Sequence, residues 1–302
     1  MTSKKVWITG ANGQLAHSIT EVAKREAPFL SFLASTRDTL RHDDPKALEQ
    51  FIATHRPDFL VNCIAYTQVD IAETHYHEAT LSNSTIPFHL ANAVAKAGIP
   101  MIHIGTDHIF GGNGATRQYP YSEEDTPSPA NAYALTKLLG EAALQLTTAT
   151  YYTLRTSWLY APAVWGHANF YSSIRAKATK GQPLSVVTDE VSAPTSALTL
   201  ARVILQIIKD FGTPQALPTG TYHVTDMGEA SRYDFAQAIL ALSPDTAHIE
   251  IKKIAQQHLA LPAHRPQYSK LSTEHIQQYY PTLIRPWKEA LQEIYQYDNQ
   301  SR

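Results

Sequence analysis

The sequence contains a single cysteine in 302 residues, so it cannot form an internal disulfide. It lacks an apolar run of the ~18 residues that cross a membrane, and the apolar stretch after residues 1–5 is too short for a secretory signal peptide. Charge is scarce as well: charged residues make up 17% of the chain, and 25 basic against 27 acidic residues leave a net charge of −2. No strong field of either sign is present to attract nucleic acid or an anionic membrane. These absences predict a soluble cytoplasmic protein that binds neither.

Histidine, by contrast, is abundant, with 14 residues, and raises the question of a metal site or of imidazole catalysis. No His-Glu-x-x-His motif occurs, and the close pair His75 and His77 lies two residues apart in a predicted helical region, where the side chains face different sides. The sequence therefore predicts no metal site. His108 is the histidine of most interest, and it either touches a ligand or packs within its loop. Cys63 follows apolar residues and is predicted to be a small buried residue of an apolar strand rather than a nucleophile.

The first half of the chain alternates between short apolar runs and stretches with helical periodicity. The runs predict strands over residues 5–9, 29–35, 59–64 and 100–105. The periodic stretches predict a helix after the glycines at 10–13, a second over 45–54 capped by Asp43 or Asp44, and a long helical region up to Lys96. Such alternation builds a parallel sheet covered by helices on both faces. We therefore expect an α/β fold with a Rossmann-type doubly wound parallel sheet.

The second half of the chain is less regular. A stretch over residues 110–130, rich in glycine, proline and acidic residues, is too long for an ordinary connection and predicts a functional loop over the sheet. Helices are expected over residues 133–146, 170–180, 197–210, 232–242 and 286–297, and strands over 184–187, 222–224 and 249–252. We expect residues 1–155, with 190–226 returning to them, to form the dinucleotide-binding domain. Residues 156–189 and 227–302 are expected to form a smaller mixed α/β lobe.

The turn after the first predicted strand contains Gly10 and Gly13. Glycines at the start of a helix permit close backbone approach to a pyrophosphate, which the free N–H groups of the helix then bind. The alternative is a plain turn between strand and helix, but the position at the first strand favours a dinucleotide. After the second strand, Arg37 with the hydroxyls of residues 35 and 36 favours the 2′-phosphate of NADPH. The adjacent Asp38 leaves NADH possible, because a carboxylate suits the ribose of that cofactor.

Tyr133 and Lys137 lie one helical turn apart, on the same face of a predicted helix. Thr106 leaves the preceding strand at the carboxyl edge of the sheet, where open α/β sheets bind ligands. A phenol with an ammonium group nearby, which we expect to lower the phenol pKa, can donate a proton to a carbonyl oxygen, and a threonine hydroxyl can polarise the same oxygen. The alternative is an amphipathic helix with a surface lysine. The three residues together favour reduction of a carbonyl.

The combination of these motifs resembles the extended short-chain dehydrogenases/reductases and, within them, the dTDP-4-dehydrorhamnose reductase family, over nearly the whole chain. The matching segments are residues 10–15, 61–70, 106–112, 128–133, 137–141, 154–160, 169–170, 189–195, 220–224 and 264–269.

The resemblance implies that NADPH delivers hydride to C4 of dTDP-4-dehydro-L-rhamnose, a dTDP-sugar, to give dTDP-L-rhamnose. It implies that Thr106, Tyr133 and Lys137 are catalytic. Together with the glycine turn and Arg37, it implies a cofactor site of Gly10, Asn12, Gly13, Gln14, Leu15, Arg37, Ala65, Tyr66, Tyr133 and Lys137. The implied substrate site consists of Val69, Asp70, Thr106, Asp107, His108, Trp158, Asn169 and Arg265. Core packing is the alternative for Trp158.

The chain also departs from its relatives. Gly105 stands where they usually carry a serine. In relatives that bind magnesium between two subunits, carboxylates occupy positions where this chain has Ser18 and Leu198, so we expect no metal and a monomer or weak homodimer. Arg41 replaces an aspartate often found near the adenine, which makes the cofactor preference less certain.

Two other functions are compatible with the motifs. One is a related nucleotide-sugar 4-ketoreductase that makes a different deoxysugar, since stereochemistry depends on how the sugar lies over the nicotinamide. The other is a nonenzymatic NADP-binding subunit resembling the regulatory β subunit of methionine adenosyltransferase, against which the intact catalytic residues argue.

Overall fold

The computed structural model describes residues 3–112, 117–147 and 150–300. Its strands, in chain order, are β1 (Lys4–Thr9), β2 (Leu30–Ser35), β3 (Phe59–Asn62), β4 (Met101–Thr106), β5 (Tyr151–Thr156), β6 (Leu159–Tyr160), β7 (Leu184–Val187), β8 (Val191–Ser192), β9 (Thr195–Ser196), β10 (Gly220–His223), β11 (Ala230–Ser231) and β12 (Ile251–Ile254). Its α-helices are α1 (Gln14–Glu26), α2 (Pro45–His55), α3 (Val69–Ala72), α4 (Tyr76–Thr80), α5 (Ile86–Ala97), α6 (Ala132–Thr147), α7 (Phe170–Thr179), α8 (Ala197–Asp210), α9 (Arg232–Ala241), α10 (Glu274–Tyr279) and α11 (Trp287–Gln300).

Within these residues, six parallel strands form one sheet in the order β2-β1-β3-β4-β5-β10. Helix α8 packs on α1 at one face, and α2, α5 and α6 pack together on the other. The strand order reverses between β1 and β3, and ligands of open α/β sheets bind in the crevice beyond the carboxyl ends at such a point. The prediction of a doubly wound Rossmann-type sheet is confirmed.

Outside the large sheet, the chain combines helices with pairs of short strands. Strands β7 and β12 pair in parallel, and β8 and β11 pair antiparallel. Helix α7 packs against α9 beside them. Strand β10 joins the large sheet at the free edge of β5, although it lies far along the chain. The expected mixed α/β character of this part is confirmed. Among the described residues, no helix combines the length and apolarity needed to span a bilayer.

Local sequence explains where several elements begin. At α2, Asp44 is the cap: its carboxylate accepts the N–H groups of Lys46 and Ala47, and Pro45 occupies the first turn, where a missing N–H costs nothing. Helix α9 begins with a capping box between Ser231 and Asp234.

Some element predictions were wrong in detail. The third strand ends at Asn62 rather than at residue 64, because the Asn62 side chain accepts the N–H of Ile64 and turns the chain. Cys63 therefore lies outside the strand and is half-buried. The helical region before Lys96 is divided into α3, α4, a π-helical turn and α5. Strand β5, helix α10 and the two-residue strands were not predicted.

The predicted functional loop over residues 110–130 includes 113–116, which lie outside the described residues. In its described part, Arg117 forms a two-pronged ion pair with Asp125. The backbone of Tyr121 pairs with Lys270 and Ser272 of the C-terminal segment. These bonds attach the loop to the smaller lobe.

Candidate functional site

The glycine turn lies at the reversal point of the sheet. Gly10 has φ = +63°, and a Cβ there would lie 2.8 Å from the backbone carbonyl carbon of Cys63, so other residues would be both strained and obstructed. Helix α1 begins directly after Gly13, which has no side chain to cap it. The turn can therefore bring a pyrophosphate against free N–H groups of the helix.

Two adjoining cavities open around this turn. The inner cavity, of about 440 Å³, is lined by Thr106, Tyr133 and Lys137. The outer cavity, of about 780 Å³, is lined by Arg37 and Tyr66. Both are also lined by Gly13, Cys63, Ile64, Ala65 and Thr67, so they form one continuous cleft. An elongated ligand such as a dinucleotide fits this shape, with one end at the predicted catalytic residues.

The three predicted catalytic residues meet in the inner cavity. Thr106 ends β4, and Tyr133 and Lys137 lie in the first two turns of α6. Thr106 hydrogen-bonds with the Tyr133 hydroxyl, and the Lys137 ammonium donates to the carbonyl of Ile104. The side chains are thus fixed by the end of one strand and the start of one helix.

The structure corrects the expected pKa of Tyr133. Burial raises the pKa of the phenol to about 12, and the hydrogen bond from Thr106 opposes this effect only in part. Burial lowers the pKa of Lys137 to about 8, against the opposing effect of Glu141 and Cys63. The ammonium is therefore the group that titrates near neutrality, whereas the phenol keeps its proton, as a proton donor must.

Lys137 gives a testable pH dependence of cofactor binding. Its charge is present below about pH 8 and is lost as the pH rises through that value. We expect the NADPH dissociation constant to increase over the same interval, because the neutral amine forms weaker hydrogen bonds than the ammonium. Lys137→Met should bind NADPH more weakly at pH 7 and show little change up to pH 9 in a fluorescence titration. A variant with the same slope as the unmodified protein would exclude Lys137 as the titrating group.

The environment of Gly105 explains one departure from the relatives. A Cβ at this position would overlap the carboxylate of Glu141 and approach Cγ of Arg155. Glu141 and Arg155 form a buried ion pair at 2.9 Å. The missing serine therefore makes room for this pair behind the catalytic residues.

The outer cavity carries more positive charge than predicted. Arg41 lines it beside Arg37, and the buried His42 lies next to them. Ser35, which was expected to face a 2′-phosphate, is instead buried, accepts the indole N–H of Trp7 and bonds with His42. Arg41, which made the cofactor preference less certain, adds a second guanidinium to the lining of the outer cavity.

Arg232 is the main residue of the inner cavity that the sequence did not reveal. Its guanidinium lies 3.8 Å from the ring centroid of Trp158 and 3.7 Å from the carboxylate of Glu190. Burial lowers its pKa to about 10, so it stays charged near neutrality. The sequence did contain an indication of its role, because Arg232 is the first residue of α9. The helix dipole disfavours a cation in the first turn, so its presence there needs another explanation. Trp158 itself has φ = +44°, a strained conformation typical of functional sites.

The remaining cofactor-site predictions fall along the cleft. Gln14 and Leu15 line the inner cavity, and Asn12 and Tyr66 line the outer one. Ala65 lines both.

The predicted substrate residues separate into two groups. Val69, Asp107, His108 and Trp158 line the inner cavity with Thr106. His108 meets the Tyr133 ring edge-on, and its Nδ1 is buried with no hydrogen-bond partner among the described residues. Burial lowers the pKa of His108. His167, not predicted, also lines the cavity.

The second group lies outside the lining of both cavities. Arg265 is held by Asp70 in a two-pronged ion pair of 2.6 and 2.9 Å, so this guanidinium already has an anionic partner. Asn169 caps α7 and donates to Gln14. A contact of these three residues with substrate remains a prediction.

A magnesium site between subunits does not fit this chain. The Ser18 hydroxyl donates to the carbonyl of Gln14, and Leu198 is fully buried. Neither supplies a carboxylate oxygen to a hard cation. Nearby, Arg202 binds Glu26 and Glu293, so a guanidinium already neutralises the carboxylates of this region.

Comparison with known proteins identifies the family. The model for the RmlD substrate binding domain matches residues 4–299. The chain is 32% identical over 292 residues to the dTDP-4-dehydrorhamnose reductase of Mycolicibacterium smegmatis, covering 96% of this chain and 85% of that one.

Solved structures of dTDP-4-dehydrorhamnose reductases are similar to this chain over nearly its whole length. A dTDP-4-dehydrorhamnose reductase from Clostridium acetobutylicum has a TM-score of 0.87 and 32% identity, with 97% of this chain and 99% of that chain covered. One from Bacillus anthracis, in complex with NADP, has a TM-score of 0.87 and 27% identity, with 98% and 100% covered. The resemblance inferred from the motifs is confirmed, and the chain belongs to the dTDP-4-dehydrorhamnose reductase family.

Proposed function

We propose that this protein reduces the C4 ketone of dTDP-4-dehydro-L-rhamnose to give dTDP-L-rhamnose, with NADPH as the reductant. The observation that carries the proposal is the meeting of Thr106, Tyr133 and Lys137 in a cavity continuous with the cleft at the glycine turn. The names of the relatives support the substrate, and the relative solved with NADP supports the cofactor.

When bound, NADPH supplies the hydride that reaches C4. The Tyr133 hydroxyl donates its proton to the C4 oxygen, while Thr106 donates a hydrogen bond to the same oxygen and stabilises its developing negative charge. Lys137 binds the nicotinamide ribose and stabilises the phenolate that remains. Burial of Thr106 and Lys137 and partial burial of Tyr133 strengthen these interactions.

The inner cavity also offers a site for the sugar nucleotide. Trp158 presents a flat apolar face to a deoxysugar, and Arg232 stacks on that ring. We assign to Arg232 the diphosphate of the substrate, because its ion-pair partner among the described residues, Glu190, lies at the longer distance of 3.7 Å. Arg265, which the resemblance implies for the substrate site and whose fork could bind a phosphate, is closely paired with Asp70.

Cofactor preference depends on the arginines of the outer cavity. We expect Arg37→Ala to raise the NADPH dissociation constant roughly tenfold to hundredfold, the cost of a charge-assisted hydrogen bond, and to change NADH binding little. Arg41→Ala should have a smaller effect, since Arg41 is 73% exposed and has Asp43 nearby. Parallel titrations with NADPH and NADH measure both. Equal losses for the two cofactors would refute the assignment of Arg37 to the 2′-phosphate.

We propose that the two parts of the chain bind different ligands. Residues 1–155 with 190–226 hold the cofactor, and residues 156–189 and 227–302 hold the sugar nucleotide. The position of β10 beside β5 supports the return of residues 190–226 to the large sheet. The cytoplasmic location and the monomeric or weakly dimeric state remain predictions from the sequence.

The proposal is tested by incubating the protein with NADPH and dTDP-4-dehydro-L-rhamnose. We expect loss of the NADPH absorbance and formation of dTDP-L-rhamnose, identified by NMR. Formation of the opposite C4 epimer would indicate the related ketoreductase. No absorbance change at saturating substrate, with NADPH still bound, would favour the nonenzymatic subunit.

A further inference from the structure

Asp107 is a buried carboxylate next to the catalytic threonine, and it has no ion-pair partner among the described residues. It is 2% exposed. Its Oδ2 accepts the hydroxyls of Ser192 at 3.1 Å and Ser269 at 2.5 Å, and its Oδ1 accepts the Thr106 hydroxyl at 3.4 Å. A carboxylate this far from water needs hydrogen-bond partners, because a buried polar group without them is costly.

Ser269 belongs to the smaller lobe and Ser192 to the segment 190–226, and both lie far from Asp107 in the sequence. Ser192 is in β8, which pairs with β11 immediately before Arg232. Ser269 is joined to the same strand through the backbone, since its N–H donates to the carbonyl of Val191 and the N–H of Val191 donates to the carbonyl of Gln267. Two segments that pair with each other, one of them in the smaller lobe, therefore converge on one carboxylate at the end of β4.

We propose that Asp107 is a positioning residue that docks the sugar-nucleotide lobe onto the catalytic threonine through Ser192 and Ser269. The hydrogen bonds fix the distance between Thr106 and the paired strands β8 and β11. Arg232 follows β11 directly. The sugar is then held at the correct distance from the proton donor. This role differs from the direct substrate contact that the resemblance implies, because the Oδ2 atom of the carboxylate is already used by the two serines.

The two serines share one acceptor atom, Oδ2 of Asp107. Both are buried, at 0% and 3% exposure, and both donate to the same oxygen. Removing one hydroxyl leaves the other in place, whereas removing both leaves a buried carboxylate with only the long bond from Thr106. Loss of the pair should therefore have a larger effect than the sum of the single losses.

The test rests on the proposed function and compares Asp107→Asn with the double variant Ser192→Ala/Ser269→Ala. We expect both to lower kcat about tenfold to hundredfold and to raise the KM of the sugar nucleotide, because misplacement by about 1 Å costs this much. The NADPH dissociation constant should stay within about twofold. Ser192→Thr/Ser269→Thr, which keeps the hydroxyls, should recover part of the rate. Ser185→Ala/Ser243→Ala is the matched control in the same lobe.

If Asp107 instead contacts the substrate directly, the opposite result is expected. The double alanine variant would then have unchanged kinetics while Asp107→Asn loses activity, and that result would overturn the positioning role. Hydrogen exchange of the Val191 and Ser269 amides gives a readout independent of turnover, and we expect faster exchange in both variants. If the unmodified protein has no activity, the proposed function fails, but unchanged exchange at these amides would separately overturn the docking role.

Discussion

Replacing Tyr133 with phenylalanine is expected to lower kcat by about 10²–10⁴-fold, the usual contribution of a positioned general acid. The phenol is the group near Thr106 that keeps a proton at neutral pH, because burial raises its pKa to about 12. Phenylalanine retains the ring that packs against His108 but cannot donate the proton. Binding of NADPH should change little, since Lys137 and the glycine turn are intact. Steady-state rates with a fluorescence titration of NADPH measure both quantities.

The matched control is Tyr279→Phe, which removes a hydroxyl from a partly exposed tyrosine of α10 away from the cleft. Its kcat should equal that of the unmodified protein. If Tyr133→Phe also keeps full turnover, the proton comes from another group, and Thr106 becomes the next candidate.

The second large effect is expected at Arg232. Arg232→Met should raise the KM of the sugar nucleotide by about 10²-fold or more, because a half-buried cation facing an anion is worth several kcal/mol of binding. Methionine preserves an apolar contact with Trp158 but removes the charge. The NADPH dissociation constant should be unaffected. Steady-state kinetics at saturating NADPH would show the change.

Three further variants test which residue is responsible for the change in the KM of the sugar nucleotide. Arg232→Lys should recover part of the affinity, since the charge remains without the planar stacking. Glu190→Gln tests whether Arg232 acts only by neutralising its neighbour, and it should leave the KM nearly unchanged. If Arg265→Met raises the KM and Arg232→Met does not, the diphosphate binds at Arg265, as the resemblance implied.

Most of the large sheet could be predicted from the sequence, because buried parallel strands are short apolar runs and helices show their own period. Strand β5 was missed although it lies inside the sheet between β4 and β10, since the sequence of Tyr151–Thr156 contains two threonines and an arginine among its apolar residues. Arg155 is stabilised there by Glu141 from α6, a partner that only the tertiary structure supplies.

The catalytic residues were found because they share one helix face or end one strand. Residues positioned by long-range contacts were harder to interpret. Nothing local indicates that Arg265 is held by Asp70 or that Ser35 is buried beside Trp7. The pKa of Tyr133 was predicted in the wrong direction because burial, which dominates it, has no local signature in the sequence.

Because β10 covers the free edge of β5, the N-terminal half of the chain does not form a complete sheet by itself. An N-terminal fragment ending after β5 would lack the strand that covers its edge, and backbone groups of β5 such as the Arg155 carbonyl, which accepts the N–H of Val224, would be left open. An open strand edge with apolar side chains is a template for pairing between molecules. Lys4 at the other end of the chain also bonds to the carbonyls of Ile208 and Phe211, at the end of α8. Cleavage between the two halves would therefore yield an aggregating fragment rather than a free cofactor-binding domain.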